Sequence, residues 1–441
     1  MRIDELISAL PERVLVSGDD GWEAARRYHS GAGEPDAIVR AGSVEDVRSA
    51  VRWAADRHVP IVVRGGGHSA WGSVPGGLTL DLAALTDVEV DGTLVRVGGG
   101  ATWGHVAGVL SDHDLGISSG DTASVGVGGL TLGGGIGWMV RAWGLAADQL
   151  VGVQLVTASG AVVDVTDAAH PELMWALRGG GGNFGVVTRF DFRAHPLPAV
   201  VFATLNVTGD ARPILRAVRD TMREAPRELT VTFMDVPAMD PSAPAGATIT
   251  GVWIGDDEHA ARRALEPLLR TDGVSEASFE VTRYPEILLD MPPADPDEPM
   301  PGFVGGNTLL GELTDDAIDR LVSFREANTA SVLFLRSLGG AFADVPQERS
   351  AFPARAATWF AMAGAFDVPG LLDDDSRPAV LAAWDAIEGL GAGVYGNFST
   401  TTDSAFAAKM FPGATMSRLA AVKADWDPTN VFSRNHNVLP A

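Results

Sequence analysis

The alternation of hydrophobic and polar residues divides the first half of the chain into short helices and strands. Apolar residues from Val44 to Val51 recur at helical spacing, and this pattern predicts a helix that ends near His58. Ser43 is a favoured N-cap residue, and Asp46 three positions later predicts a capping box. Apolar runs also predict strands over 61–63, 78–82 and 94–97, a helix over 103–110, a hairpin of 149–158 with 161–165, and a helix over 171–177 that begins with proline.

The second half of the chain has a different pattern, in which longer strands alternate with longer amphipathic helices. The predicted strands are 200–207, 229–236, 247–254, 331–337, 357–366 and 393–399. The predicted helices are 211–224, 258–269, 315–327 and 377–387. A stretch rich in proline and aspartate, 288–301, predicts a loop that could act as a lid. This order is typical of an α+β domain, with a sheet that carries its helices on one face.

Three concentrations of glycine interrupt the first half. The first follows the strand 61–63 and consists of Arg64, Gly65, Gly66, Gly67, His68 and Ser69. The second runs from Gly120 to Gly137, and the third from Gly179 to Gly185. Each glycine costs about 0.5–1 kcal/mol of ordering entropy relative to alanine, so such density needs a compensating reason. Backbone pressed against a flat or phosphorylated ligand is the reason we expect, with the first loop on a diphosphate.

The third glycine stretch formally contains the dinucleotide pattern G-x-G-x-x-G at Gly180, Gly182 and Gly185. That pattern binds a dinucleotide only where a strand precedes it and a helix follows it. Here a helical pattern precedes the glycines and a strand pattern over 186–192 follows them. We therefore reject a Rossmann NAD site.

Composition narrows the class of protein further. The chain has 441 residues, enough for two domains, and no cysteine, which excludes disulfides, thiolate metal sites and cysteine nucleophiles. The net charge of −24 argues against a nucleic-acid partner. The sequence contains no apolar run of about 18 residues, so it predicts no membrane span. It also contains no HExxH motif and no Cys/His cluster, so it predicts no metal site of these kinds. The acidic, amphipathic first residues lack the features of a signal peptide, so we expect a cytoplasmic protein.

Taken together, the motifs resemble those of the FAD-linked oxidases of the vanillyl-alcohol-oxidase superfamily, in the berberine-bridge-enzyme-like branch. The resemblance rests on the loop that ends in His68, the central glycine stretch, the segment Arg178 to Thr188 and the final Asn435-His436-Asn437. It implies a PCMH-type FAD-binding domain of residues 1–198, completed by 400–441. It also implies a substrate-binding domain of residues 199–399, whose antiparallel sheet is flanked by helices and covers the isoalloxazine.

The same resemblance implies which residues contact FAD. They are Arg64, Gly65, Gly66, Gly67, His68 and Ser69 in the first stretch; Gly120, Thr122, Val125, Gly126, Gly129, Gly133, Gly134 and Gly137 in the second; Gly185 and Val187 in the third; and Asn435 and Asn437 in the last segment. His68 is implied to carry the flavin covalently through the 8α-methyl carbon, which becomes electrophilic when oxidised flavin tautomerises. Bicovalent members have a cysteine where this chain has Thr122, so only the histidine link is expected. Val125 resembles the oxygen-permissive version of a position that gates oxygen.

Four residues are candidates for the catalytic group. Arg336 shares a strand face with Phe334, and a buried arginine needs a partner, which is a protein carboxylate or else a substrate anion or reduced flavin. Tyr395 and Asn397 share a face of the predicted strand 393–399, and a tyrosine base requires cationic neighbours that lower its pKa. His436 lies between the two asparagines and could act as a base near neutral pH.

These expectations describe an FAD-dependent oxidase of an alcohol, a hydroxylated ring or a sugar. Hydride passes to flavin N5, and molecular oxygen reoxidises the flavin and forms hydrogen peroxide. An amine-oxidising relative carries a lysine and acids on the matching strand, where this chain has Phe334, Arg336 and Leu338. This difference argues against an amine and suggests a neutral or anionic substrate, with an amine as the alternative. A flavin dehydrogenase with another electron acceptor and a non-catalytic flavin-binding protein remain alternatives. The expected partners are a small molecule and oxygen, with no nucleic acid and no membrane, and a homodimer is left open.

Overall fold

A computed structural model describes residues 3–29, 31–237, 246–291, 302–368, 372–399 and 401–441. Its first half consists of α1 Ile3–Ala9, β1 Val14–Leu15, α2 Trp22–Ala25, β2 Arg27–Tyr28, β3 Gly31–Ala32, β4 Ala37–Arg40, α3 Val44–Arg57, β5 Ile61–Arg64, β6 Leu78–Asp81, β7 Val88–Asp91, β8 Leu94–Gly98, α4 Trp103–Ser111, β9 Leu115–Gly116, α5 Val127–Leu132, α6 Val140–Trp143, β10 Leu150–Val156, β11 Val162–Thr166, α7 Pro171–Leu177, β12 Val186–Arg193 and β13 His195–Pro196.

The second half continues with β14 Val200–Val207, α8 Ala211–Glu224, β15 Leu229–Val236, β16 Gly246–Ile254, α9 Glu258–Leu269, β17 Val274–Thr282, β18 Gly302–Leu310, α10 Asp315–Ala327, β19 Ser331–Ser337, α11 Ala341–Asp344, β20 Trp359–Asp367, α12 Arg377–Glu388, α13 Phe406–Met410 and α14 Ala414–Trp426. Short 3₁₀ turns occur at Ala70–Ser73, Ala146–Gln149, Tyr284–Ile287, Gln347–Arg349 and Gly396–Phe398.

Three larger sheets organise the fold. A four-stranded sheet has the order β1-β4-β6-β5, in which β4, β6 and β5 run parallel. A five-stranded antiparallel sheet has the order β11-β10-β12-β8-β7. A seven-stranded antiparallel sheet, β17-β14-β16-β15-β19-β20-β18, is formed by the second half of the chain.

The seven-stranded sheet buries one face against helices, as predicted. Leu333 and Leu335 of β19 pack in one apolar cluster with Ile214 of α8 and Ile318 of α10. Since side chains alternate along a strand, Arg336 lies on the opposite face. That face turns toward the first half of the chain, and the contacts of Arg336 described below confirm this. The mixed α+β architecture expected from the sequence is therefore confirmed.

Several predicted elements are confirmed to the residue, among them β14, α8, β15, α9, α10 and β19. The predicted N-cap is also present, because the Ser43 hydroxyl accepts a hydrogen bond from the N–H of Asp46. The Asp46 carboxylate, however, accepts from Gly42 and not from the cap residue. Of the predicted loop 288–301, residues 292–301 lie outside the described part of the chain, and Leu289 forms an isolated bridge to Thr122.

The predicted strand 393–399 is wrong. Residues Gly396–Phe398 form a 3₁₀ turn instead. The side chain of Asn307 takes the place of a strand partner: its Oδ1 accepts from the N–H of Tyr395 at 2.7 Å, and its Nδ2 donates to the Tyr395 carbonyl at 3.0 Å. Because this amide satisfies the backbone, no strand pairing is needed there.

Within the described residues, we find no helix that combines the length and the apolar character needed to cross a membrane.

Candidate active site

The first glycine loop presents unpaired backbone donors. The N–H groups of Gly65, Gly66, Gly67, His68 and Ser69 donate to no other residue in the described part of the chain. Gly67 has a φ of +74°, which only glycine adopts without strain, and its carbonyl accepts from the N–H of His29. Successive free N–H groups suit an anion, and the diphosphate contact of this loop stays a prediction.

The side chain of Arg64 turns away from these N–H groups. Its guanidinium donates to the Asp81 carboxylate at 2.5 Å and to the carbonyl of Ala25, and it lies over the ring of Tyr28. Arg64 therefore anchors the start of the loop to its neighbours. Its predicted contact with the cofactor stays a prediction.

His68 is held in a neutral form with one nitrogen free. Its ring stacks on that of His29, with the centroids 3.5 Å apart and the planes 20° from parallel. Its Nε2 lies 3.0 Å from the hydroxyl oxygen of Ser124. Burial, together with the nearby His29, lowers the pKa of His68 from 6.5 to about 4. At neutral pH the imidazole is uncharged, and Nδ1 has no hydrogen-bond partner among the described residues.

The central glycine stretch packs mainly against the protein itself. A Cβ on Gly126 would lie 2.3 Å from the backbone nitrogen of Gly66, so glycine lets the first and second stretches touch. A Cβ on Gly137 would lie 1.8 Å from the carbonyl oxygen of Ser119. Close packing within the protein already accounts for glycine at several of these positions, including Gly120, Gly133 and Gly134, which lie against Leu130, Asn397 and Phe352. Their predicted contact with the cofactor stays a prediction.

Gly129 is different from these packed glycines. A Cβ built on it would meet no other described atom within 4 Å. It lies in α5, where alanine would be favoured by about 1 kcal/mol, so packing among the described residues does not explain why this position is glycine. Among the predicted cofactor contacts of this stretch, Gly129 is the position that leaves room for a ligand. Thr122 is buried and Val125 is half-buried beside the core.

The third glycine stretch joins the last segment of the chain. Asn183 donates from Nδ2 to the carbonyl of His436 at 3.2 Å and accepts from the N–H of Val438 at 3.0 Å. Gly185 and Val187, both predicted contacts of the cofactor, pack in the core: a Cβ on Gly185 would touch Leu155, and Val187 is buried. This stretch therefore positions other groups, and its preceding helix and following strand confirm that it is no Rossmann loop.

A buried ion pair supports the same junction. The ammonium group of Lys423 donates to the Asp427 carboxylate at 2.6 Å and to the carbonyls of Asn183 and Phe432. Asp427 also accepts from the N–H groups of Val431 and Phe432. Both charged side chains are fully buried, so they fix the course of the chain just before Asn435.

The last segment carries acceptor atoms without donors. The Nδ2 group of Asn435 donates to the carbonyls of Gly182 and Phe432, which leaves its Oδ1 buried and unpaired. The Oδ1 atom of Asn437 and the Nδ1 atom of His436 are also buried and have no partner among the described residues. Since buried polar atoms are normally paired, these three atoms indicate a ligand that donates hydrogen bonds.

The geometry around His436 fixes its tautomer. Nε2 lies 3.1 Å from the carbonyl oxygen of Gly396, which can only accept, so Nε2 carries the proton. Nδ1 therefore has a free lone pair. Burial lowers the pKa of His436, which keeps this nitrogen unprotonated at neutral pH. The rings of Trp71 and Phe406 pack beside it.

Tyr395 has a role that does not fit a catalytic base. Its hydroxyl oxygen accepts from the backbone N–H groups of Gly135 and Ile136 at 3.0 and 3.3 Å and from Nδ2 of Asn397 at 2.9 Å. Burial raises the pKa of Tyr395 to about 12, and the cationic neighbour that a base role requires is not among its contacts. Tyr395 and Asn397 do lie together, as predicted, although on a turn and not on a strand.

Arg336 finds its partner within the protein. It is 1% exposed, donates to the Asp121 carboxylate at 2.9 Å and to Thr232 at 2.9 Å, and lies over the ring of Trp138 at 4.3 Å. Of the two partners that the sequence left open, the structure shows the carboxylate. The pair joins the seven-stranded sheet to the central glycine stretch.

Sequence analysis missed His29, Ser124 and Asp121. His29 belongs to no motif, and no pattern in the sequence places it on His68. Asp121 and Ser124 lie within the central glycine stretch, and the prediction for that stretch rested mainly on its glycines. A usable signal existed for Asp121, because a buried arginine requires a carboxylate and this one is embedded among predicted cofactor contacts.

These features together fit FAD. The five free N–H groups suit its diphosphate, the open Cβ position of Gly129 suits a close ligand, and the three unpaired acceptors suit a ligand with hydroxyl or N–H donors. The neutral imidazole of His68 stands at the end of the same loop.

Comparison with known proteins agrees with this interpretation. A family model described as an FAD binding domain matches residues 35–166, and one described as berberine and berberine like matches residues 394–439. The FAD-linked oxidoreductase hasG of Aspergillus fumigatus is 30% identical over 95% of both chains. The (R)-6-hydroxynicotine oxidase of Paenarthrobacter nicotinovorans is 28% identical over 97% of this chain and 96% of that protein.

A solved structure leads to the same conclusion. The carbohydrate oxidase of Microdochium nivale superposes with a TM-score of 0.86 and 25% identity, over 100% of this chain and 99% of that one. The predicted resemblance is thereby confirmed over nearly the whole length. The chain belongs to the FAD-linked oxidoreductases, in the branch with a berberine-bridge-like C-terminal segment.

Proposed function

We propose that this FAD-dependent oxidoreductase is an oxidase of a neutral, hydroxylated small molecule and that His68 carries its flavin covalently. The observation that supports this most directly is the state of His68. It is an uncharged imidazole with a free Nδ1, and it ends a loop of five unpaired N–H groups. A neutral imidazole is the nucleophile that attachment at the 8α-methyl carbon requires.

The residues have distinct roles toward the cofactor in this proposal. The N–H groups of Gly65 to Ser69 hold the diphosphate, and Asn435 and Asn437 accept hydrogen bonds from flavin or substrate. When bound, the flavin accepts hydride from a substrate C–H bond and passes two electrons to oxygen, which becomes hydrogen peroxide. The protein contributes orientation and electrostatics.

The charge of the substrate follows from Arg336. Its guanidinium is matched by Asp121, so the flavin-side face of the sheet offers no uncompensated cation there. A substrate anion would lack a partner at this point, and a substrate cation would meet a carboxylate that is already bound. Two named relatives are oxidases of hydroxynicotine and of carbohydrate, so kinship does not select between amine and sugar. The paired charges favour a neutral molecule.

His436 is the proton acceptor in this proposal. Its Nδ1 carries a free lone pair and is buried without a partner in the described part of the chain. A substrate hydroxyl donating to this atom would lose its proton as hydride leaves the adjacent carbon. Tyr395 and Asn397 act indirectly, since the Tyr395 hydroxyl accepts from the N–H groups of Gly135 and Ile136 and Asn397 donates to that hydroxyl.

We also propose the division of the chain that the sequence suggested. Residues 1–198 with 400–441 form the FAD-binding domain, and residues 199–399 form the substrate-binding domain. Support comes from the apolar cluster of the seven-stranded sheet, whose members are all drawn from residues 203–387.

One experiment tests the covalent link. The yellow protein is denatured in acid and passed through a filter that retains protein. We expect the colour to stay with the protein, and His68→Ala to release it. Colour in the filtrate of the unaltered protein would overturn the proposed attachment.

A second experiment tests the reaction class. Neutral alcohols and sugars, amines and carboxylic acids are offered in turn while hydrogen peroxide is measured. We expect peroxide with a neutral hydroxyl compound. Slow reoxidation of the reduced protein in aerated buffer would favour a dehydrogenase instead.

A further inference from the structure

The imidazole ring of His29 lies flat on that of His68. The centroid distance of 3.5 Å and the interplanar angle of 20° leave the two rings almost fully overlapped. The N–H of His29 donates to the Gly67 carbonyl at 3.0 Å, so the backbone beside the two rings is joined as well. His29 follows β2, and no motif or feature of the proposed mechanism uses it.

A second side chain holds the edge of the His68 ring. The hydroxyl of Ser124 lies 3.0 Å from Nε2. When Nε2–H donates to this oxygen, the lone pair of the ring lies on Nδ1. His29 fixes the plane of the ring and Ser124 fixes its rotation, and Nδ1 has no hydrogen-bond partner among the described residues.

We propose that His29 and Ser124 are positioning residues for covalent attachment of FAD: His29 covers one face of the His68 ring and fixes its plane, and Ser124 presents its Nδ1 to the 8α-methyl carbon. This inference rests on the proposed link at His68. It concerns how the bond forms and not the oxidation of substrate.

The bond-forming step balances with oxygen as the oxidant. A bond forms between Nδ1 of His68 and the 8α carbon, while the methyl group and the imidazole each lose one proton. The flavin gains two electrons in this step. Oxygen then removes these two electrons with two protons as hydrogen peroxide, and the linked flavin is oxidised again. A protonated His68 has no lone pair on Nδ1 and is inert.

The groups around His68 explain why it stays unprotonated. Burial is the main cause that lowers its pKa to about 4, and the charge that His29 would carry acts in the same direction. Burial lowers the pKa of His29 as well. The charged neighbours are otherwise paired, since Arg64 binds Asp81 and Asp121 binds Arg336. The stacked ring of His29 covers one face of His68 and so contributes to the burial that keeps it neutral.

The test measures the rate of covalent flavin attachment and not the rate of substrate oxidation. The full-length protein is produced with little flavin, FAD is added, and the fraction of flavin retained after acid denaturation is measured over time between about pH 5.5 and pH 8. For the unaltered protein we expect a rate that is independent of pH in this range. In His29→Ala the pKa of His68 returns toward 6.5, so attachment should be about tenfold slower at pH 5.5 and nearly unchanged at pH 8.

Three variants complete the test. His29→Phe keeps a ring over His68 and should restore the flat pH profile. Ser124→Ala should slow attachment at every pH without changing the profile. His195→Ala is the matched control, because His195 is also a half-buried histidine stacked on an aromatic ring, that of Trp143, and it should behave like the unaltered protein.

The outcomes separate the two proposals. Release of flavin from the unaltered protein would overturn the covalent link and this inference with it. The unaltered protein could instead retain its flavin while His29→Ala shows the same attachment rate and pH profile. That result would overturn this inference and leave the proposed function standing. An attachment rate in Ser124→Ala that equals the rate of the unaltered protein at every pH would overturn the role of Ser124.

Discussion

At the scale of single residues, the site distinguishes neutral groups that keep a free lone pair from groups whose polar atoms are fully bonded. His68 and His436 are both kept neutral by burial, and each has one nitrogen fixed by a hydrogen bond and the other free. Tyr395 is the opposite case, since three donors occupy its oxygen and burial raises its pKa to about 12. The histidines are thus suited to chemistry and the tyrosine to structure.

We predict that His436→Gln lowers kcat by a factor of about 10²–10⁴, because a positioned base contributes that much to proton transfer. The glutamine can still donate to the Gly396 carbonyl, so FAD content should be unchanged. In the unaltered protein the lowered pKa of His436 keeps kcat constant as pH falls from 8 to its ordinary pKa of 6.5. Steady-state kinetics across this range provides the test, and an unchanged kcat in the variant would exclude His436 as the base.

We predict that Tyr395→Phe costs about 1–3 kcal/mol of stability and leaves the shape of the kcat profile intact. Gly135, Ile136 and Asn397 lose a shared acceptor, and unpaired buried donors are costly. The folded pKa of Tyr395, about 12, exceeds its ordinary 10, so its contribution is complete below pH 10 and is lost as pH rises toward 12. Urea unfolding measures the stability. A variant whose activity loses its dependence on pH would show that Tyr395 titrates in catalysis.

At the scale of elements, the glycines of the central stretch fall into two kinds. Gly126 lets one loop touch another, whereas Gly129 in α5 faces no described atom within 4 Å. The same residue type therefore permits close packing at Gly126 and leaves unfilled space beside the helix at Gly129.

We predict opposite behaviour for alanine at these two positions. Gly126→Ala places a Cβ 2.3 Å from the backbone nitrogen of Gly66, which forces the loops apart and lowers the stability of the protein before FAD is added. Gly129→Ala should keep or slightly raise that stability, by up to about 1 kcal/mol, but weaken FAD binding. Thermal unfolding and FAD titration measure the two effects. Normal FAD binding by Gly129→Ala would remove Gly129 from the cofactor site.

At the scale of the whole molecule, buried arginines join the seven-stranded sheet to the first half of the chain. Arg336 reaches Asp121, and Arg141 of α6 donates to the carbonyls of Leu229, Leu338 and Ala225. Burial lowers the pKa of Arg141 to about 10, yet three carbonyls still satisfy its donors. These contacts hold the seven-stranded sheet against the first half of the chain, where we predict that the flavin binds.

We predict that Arg141→Met lowers the unfolding free energy by about 3 kcal/mol or more, because three buried carbonyls lose their donor at about 1–3 kcal/mol each. Arg270→Met is the matched control. Its side chain is 75% exposed and pairs only with Glu266 among the described residues, so the unfolding midpoint should not change. Equal effects in urea unfolding would contradict the bridging role of Arg141.

Much of this architecture could be predicted from periodicity, because helices and strands of the second half are amphipathic over many residues. The helix α8 and the strand β19 were located to the residue for this reason. The segment 393–399 failed because Asn307, distant in sequence, satisfies its backbone. Local pattern cannot reveal a partner that arrives from another element.

By itself, the sequence determined the α+β class, the FAD-linked family and the identity of the loop that ends in His68. These depend on local spacing and on residue types that only certain chemistry requires. Only the tertiary structure decided that Asp121 neutralises Arg336, that Tyr395 is held as an acceptor, and that His29 lies on His68. Charge state and pKa depend on burial and on neighbours brought together by folding, and the order of residues along the chain does not contain those distances.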